Sequence, residues 1–110
     1  MIEIKTFTKK PVKIKAVQFK EGMESRDYHA IYSWIEENTN GSFDVNSLLE
    51  QDNPKFPESG VSIDARDGRL VIATLEGLMW VDKNDWVIQG IKGEFYPCKP
   101  DIFAGSYNDG

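Results

Sequence analysis

Period-two alternation of apolar and polar residues marks several short runs of this chain, and a helical period marks one. Residues 2–5, Ile-Glu-Ile-Lys, read as a short strand. Pro11 lacks an amide donor and biases Lys10 toward extended geometry, so it separates this strand from the next, residues 12–19. There Val12, Ile14 and Ala16 share one face, Val17 and Phe19 take the other, and Gln18 returns to the first. Either a bulge shifts the register, or both faces are covered and Gln18 points inward. A buried amide must find partners, so Gln18 reads either as a core amide that stitches the sheet or as a ligand contact.

Tyr28, Ile31, Tyr32 and Ile35 fall at i, i+3, i+4 and i+7, one face of an amphipathic helix that Ala30 and Trp34 widen. Ser25 or Asp27 is a candidate N-cap, and Asn40-Gly41 a stop in which glycine supplies the left-handed conformation. From 42 to 60 the pattern dissolves, with breaks at Asn53-Pro54 and Phe56-Pro57 and a single helical turn expected over 45–49. Loops of this length in small domains are usually functional or mobile, so this one is the expected place for a lid or a partner contact.

The second half reads as a meander. Residues 61–65 alternate as a strand, and Asp67-Gly68 is a two-residue hairpin signal in which both central positions take positive φ. Residues 69–75 return as a nearly continuous apolar strand covered on both faces. Turns at Glu76-Gly77 and 82–84 bracket a strand over 78–81; residues 85–89 form the next, and Gly90 and Gly93 bound a bend before a last short strand at 94–96. Asp101 is placed to cap a final turn that holds Ile102 and Phe103. The predicted fold class is α+β. It is a strongly bent antiparallel sheet, or a small partly open barrel, of about six strands with one long helix packed on it. One domain spans 1–104, and 105–110 form a flexible tail.

Composition narrows the function classes. The net charge of −5 conceals an asymmetry: the first 20 residues hold six lysines against Glu3, a balance of +5, and the remaining residues balance at −10. So acidic a chain is a poor binder of duplex DNA, whose phosphates are neutralised by Lys and Arg. Lys13 and Lys15 read as the solvent face of a strand, where lysines discourage edge-to-edge pairing. No apolar run is long enough to span a membrane, no signal-peptide core opens the chain, and Cys98 has no cysteine to pair with. A cytoplasmic location is the expectation. At 110 residues a single core buries a modest share of the chain, which makes a homo-oligomer a natural supplement.

Motifs for catalysis are sparse. One His and one Cys do not make a zinc site, and there is no EF-hand loop, GxGxxG or Walker pattern, so no metal and no cofactor are expected. His29 reads as a surface residue and Cys98 as a small hydrophobe. The carboxylates Asp64, Asp67, Asp82, Asp85, Glu94 and Asp101 are explained by turns, which demand Asp in any case. An aromatic and polar group remains at the C-terminal end. Trp86, Phe95 and Phe103 are read first as core. Trp86, Lys92, Glu94, Tyr96 and Lys99, together with Gln18, are the candidate ligand-binding residues, because an aromatic floor with a few charges suits a nucleotide.

The block 84–103, Asn-Asp-Trp-Val-Ile-Gln-Gly-Ile-Lys-Gly-Glu-Phe-Tyr-Pro-Cys-Lys-Pro-Asp-Ile-Phe, resembles the C-terminal signature of small phage and prophage proteins, especially of Gram-positive bacteria. The opening strand and Thr74-Leu75-Glu76-Gly77 are similar to theirs, with Asn84 where Gly is usual and Phe19 where Trp is commoner. The resemblance implies expression in the cytoplasm of an infected bacterium and no established activity. The expected function is therefore a phage-encoded accessory protein, a non-enzymatic binder that sequesters a small anionic or nucleotide signal and so counters host defence. The alternative is an adaptor or inhibitor that grips a host protein through the 42–60 loop. Neither a duplex DNA partner nor a membrane is expected.

Overall fold

A computed structural model describes residues 1–8 and 10–107. Within it the strands are β1 (Lys15–Gln18), β2 (Gly60–Ile63), β3 (Leu70–Thr74), β4 (Gly77–Val81), β5 (Trp86–Gln89) and β6 (Phe95–Cys98). The helices are α1 (Ser25–Glu37), α2 (Val45–Leu49) and α3 (Pro100–Ser106). The chain is α+β. Instead of one bent sheet, the strands divide into two antiparallel sheets of three, ordered β1-β5-β6 and β2-β3-β4, and among the described residues they close no barrel. The division arises at the 82–85 turn, where Asn84 takes φ 72° and sends β5 away from β4 to pair with β1. In place of one long helix there are, among the described residues, three helices, of 13, 5 and 7 residues, and the predicted stripe falls on α1.

The core lies where the two sheets and α1 meet. Ile31 and Ile35 of the predicted stripe are buried against Phe19, Val61, Leu70, Ile72, Val81, Val87 and Phe95, with Tyr28 and Tyr32 half-buried at the margin. β6 lies against β3 and β4, which joins the sheets, and α1 lies against β2. The opposite face of the second sheet carries the register row Ser62, Val71 and Trp80. The Val45 N–H donates to Ser62 Oγ at 3.0 Å, which anchors α2 on that face and makes the 42–60 segment less free than its sequence suggests. Gly60, at φ +133°, lies so close to the Gly41 carbonyl that a Cβ there would stand 2.7 Å from the oxygen. That approach lets 41–43 pair with β2.

Several local expectations are corrected. Residues 2–5 form no strand, because nothing among the described residues pairs with them; Ile2 and Ile4 are almost fully exposed. The opening strand shortens to β1, and its ladder with β5 is regular, without a bulge. Val17 and Phe19 face the core, which leaves Gln18 half-buried, its amide donating to the Asn84 carbonyl at 3.0 Å. Neither Ser25 nor Asp27 caps α1: the N-cap is Glu24 and makes no side-chain bond. At 67–68 only Gly68 has positive φ. The two-residue turn is replaced by a longer loop in which the Gly68 N–H donates to the Asp64 carbonyl at 2.7 Å. α3 starts after Lys99 with Pro100 in its first turn, so Asp101 lies inside the helix and does not cap it. The helix continues to Ser106, past the start of the expected tail; residues 108–110 lie outside the described ones.

Candidate functional site

The six candidate ligand residues go to three places. Lys92, Glu94 and Tyr96 project from the β5–β6 hairpin into one wall of a groove of about 870 Å³. Its other walls are the turn that follows α1 at 38–40, residues Glu58 and Ser59 before β2, and the β3–β4 hairpin at 73–76, with Met79 and Phe95 at the floor. The hairpin geometry follows from its glycines. Gly93 takes φ +83°, and the Gly90 N–H donates to the Glu94 carbonyl at 2.8 Å. The Glu94 carboxylate folds back over Gly90, a close approach that only a residue without Cβ permits, and accepts from the Lys92 N–H at 3.0 Å. The Lys92 ammonium thus projects with no ion-pair partner among the described residues. Burial, reinforced by a hydrogen bond with Tyr107, pushes the Tyr96 phenol well above its usual range, so it stays protonated.

The electrostatics of this groove are mainly acidic. Glu58, Glu76 and Glu94 stand against Lys92 alone. Several neutral groups are already committed: Asn38 Nδ2 donates to the Trp34 carbonyl at 2.8 Å, Thr74 Oγ1 to the Gly77 carbonyl at 2.8 Å, and Ser59 Oγ accepts from the Asn40 N–H at 3.2 Å. The free polar capacity belongs chiefly to the charged side chains at the rim. Such a lining accepts hydroxyl and amino donors readily and has one cation for an anion.

Gln18 and Trp86 line a second, more open groove of about 670 Å³ between β1 and α1. Trp86 and Phe103 are not core: they stack on each other at 4.1 Å with rings 5° from parallel, both half-buried, while Phe95 alone of the three enters the core. Phe103 in turn meets Tyr107 at 5.1 Å, so the aromatic stack fastens α3 onto β5.

Lys99 belongs to neither groove. Its Nζ lies 2.7 Å from Asp82 Oδ2 and 3.2 Å from Asp85 Oδ2, and Asp85 is buried. Asp82 also receives Arg69 Nη1 at 2.9 Å. Lys99 and then Arg69 hold the Asp82 carboxyl below its usual range. The network joins the start of β3, the 82–85 turn and the start of α3, so Lys99 carries structure.

Sequence reasoning missed a second carboxylate of this kind. Asp64 is fully buried and accepts from Arg66 Nη2 at 2.7 Å, Arg66 Nε at 3.0 Å, Trp80 Nε1 at 3.0 Å and Asn46 Nδ2 at 3.3 Å. The only signal was an Asp inside an alternating apolar strand, followed by Arg two residues on.

Among the described residues, no cluster of three His, Cys or carboxylate groups is arranged to hold a metal ion. The Cys98 thiol is pushed up by burial and by the nearby Asp85 and Asp101 carboxylates, which keeps it protonated at neutral pH. His29 is exposed and meets only the Tyr28 ring, edge-on at 5.6 Å. Among the described residues, no helix is long and apolar enough to cross a membrane. In comparisons with family models, with curated proteins and with solved structures, nothing matches this chain.

Proposed function

We propose that this chain is a phage-encoded accessory protein that acts by binding, and that the groove between the β5–β6 hairpin and the turn that follows α1 captures a nucleotide-type signal of the infected bacterium. The observation that carries the reading is the gathering of Lys92, Glu94 and Tyr96 on one wall of a groove whose other walls come from three distant parts of the chain. Its volume is of the order of ordinary small-molecule sites. The charge balance narrows the ligand class. Ribose hydroxyls and an exocyclic amine can donate to Glu58, Glu76 and Glu94, whereas Lys92 alone receives an anion, so a ligand rich in sugar and base and poor in phosphate fits best.

Isothermal titration of the full chain against cyclic and ADP-ribose-type nucleotides tests this. Binding by at least one is expected, and Lys92→Ala should weaken it about tenfold through the lost charge-assisted hydrogen bond. Silence across the panel from folded protein would remove the nucleotide reading.

The excess of carboxylates supports a second reading, a protein adaptor that receives a basic segment of a host protein at Glu58, with Leu49 and Phe56 exposed in the neighbouring loop. Capture from host lysate separates the two. A stoichiometric protein partner lost on Glu58→Lys supports the adaptor, and a co-purifying small molecule supports the binder.

A further inference from the structure

We propose that the free edge of β1 and the adjacent face of α1 form a strand-addition groove, and that residues 2–7 of a second copy of this chain fill it, so that two copies exchange arms. The inference is independent of the ligand reading, since it concerns the other groove.

The lining shows that this groove follows a strand edge. Lys15, Ala16, Val17 and Gln18 all line it, although their side chains alternate between the faces of β1. Only a groove along the edge meets all four. The facing wall comes from Asp27, Ala30, Ile31 and Trp34, at i, i+3, i+4 and i+7 of α1. Among the described residues β1 pairs only with β5. The Phe19 N–H donates to the Asp85 carbonyl at 2.8 Å, which fixes the parity of the antiparallel ladder. By that parity Lys15 and Val17 bond toward β5, and the N–H and C=O groups of Ala16 and Gln18 point outward. An unpaired edge beside an apolar helix face is the arrangement to which extended segments add as an extra strand.

The arm has the complementary form. Ile2, Ile4 and Phe7 are 83%, 88% and 85% exposed, so none of the described residues of their own chain covers them. The Glu3–Lys5 ion pair at 3.7 Å places those two side chains on one side of the extended arm and leaves Ile2 and Ile4 on the other. Added to β1, the arm turns Ile2 and Ile4 onto Val17, Ala30 and Trp34 and keeps Glu3 and Lys5 in water. A second copy is the occupant because the arm leads away from its own groove. Residues 10–14 form no turn or bend, and Ile2, Ile4 and Phe7 stand exposed instead of packed along their own β1. The radius of gyration, 15.9 Å, exceeds the roughly 13 Å of a compact chain of this length, as a projecting arm requires. Mutual exchange closes the pair about a two-fold axis.

Light scattering and native mass spectrometry of the full chain at submillimolar concentration test the proposal. The mass of two chains is expected, falling to one chain on Ile4→Asp, on Ala30→Glu and on removal of residues 1–8, each variant still unfolding cooperatively. A nitroxide at position 5, on the solvent side of the arm of an unlabelled copy, should broaden the amide signals of residues 16–18 in a mixed, isotope-labelled copy. A monomeric wild type, a dimer that survives loss of the arm, or unbroadened signals of residues 16–18 in the isotope-labelled copy would each overturn the proposal.

Discussion

Phe95→Ala is expected to lower the free energy of unfolding by about 3–5 kcal/mol, the usual cost of emptying a buried aromatic site. Phe95 is 3% exposed and opens β6, opposite Gln89 of β5. Its ring meets Trp34 of α1 edge-on, with centroids 4.9 Å apart and planes at 87°, a geometry that adds to plain burial. It also shares a cluster with Leu70 and Ile72 of β3 and Val81 of β4. One side chain thus joins α1 and both sheets. Small domains are stable by about 5–15 kcal/mol, so the substitution removes a large share of the total. Urea unfolding followed by tryptophan fluorescence should show a lower midpoint at an unchanged slope. Phe103→Ala is the internal control. Its ring is half-buried in the stack on Trp86, outside the core, and it should cost no more than about half as much. Equal losses would show that the core is not centred where the two sheets meet α1.

α1 and the order of strands in the meander were legible because each rests on local periodicity. The four-residue stripe at Tyr28, Ile31, Tyr32 and Ile35 can form only one helix face, and the apolar run at β3 can only be buried. What alternation does not encode is a partner. Lys15–Gln18 pairs with Trp86–Gln89 across most of the chain, and no short-range pattern distinguishes that arrangement from a continuous sheet. Residues 2–5 have the period of a strand with no strand beside them, so a correct reading of propensity gives a wrong element. At Asp67-Gly68 the dipeptide signal is overridden by Asp64, whose carboxylate and carbonyl organise the loop from three residues upstream. The candidate groove was legible to the extent of one wall. Lys92, Glu94 and Tyr96 are near neighbours in sequence, whereas Glu58 and Glu76 join them only through the fold. Charge and proximity in sequence group Lys99 with Lys92, Glu94 and Tyr96 and do not show that Asp82 and Asp85 hold it.

Asp64→Ala is expected to lower the melting temperature at neutral pH by about 10 °C or more, and the gap should depend on pH in a direction the geometry fixes. The carboxylate is buried, and it is the common acceptor for the Arg66 side chain and N–H, the Trp80 indole and the Asn46 amide. Truncation leaves the indole N–H of Trp80 and the amide of Asn46 without that acceptor, and of the two bonds between Asn46 and the loop before β3 only the one from the Ala65 N–H, at 2.8 Å, remains. Asp64→Asn preserves the shape but sets an amide donor against donors, so it should recover little. The Arg66 side-chain hydrogen bonds hold the folded-state carboxyl well below the usual carboxylate range, outweighing the opposing effect of burial. A depressed pKa stabilises the fold fully above the unfolded value, near pH 4, and this contribution drains away as pH falls below it. The difference between wild type and Asp64→Asn should therefore be widest at neutral pH and narrow steadily in acid. Asp82, lowered by Lys99 and Arg69, adds acid sensitivity of the same sign to the wild type and to both variants, and so cancels in the comparison. Melts from neutral pH down to strong acid measure this directly. A gap that stays constant over that range would mean that the stabilisation does not depend on the ionisation of Asp64.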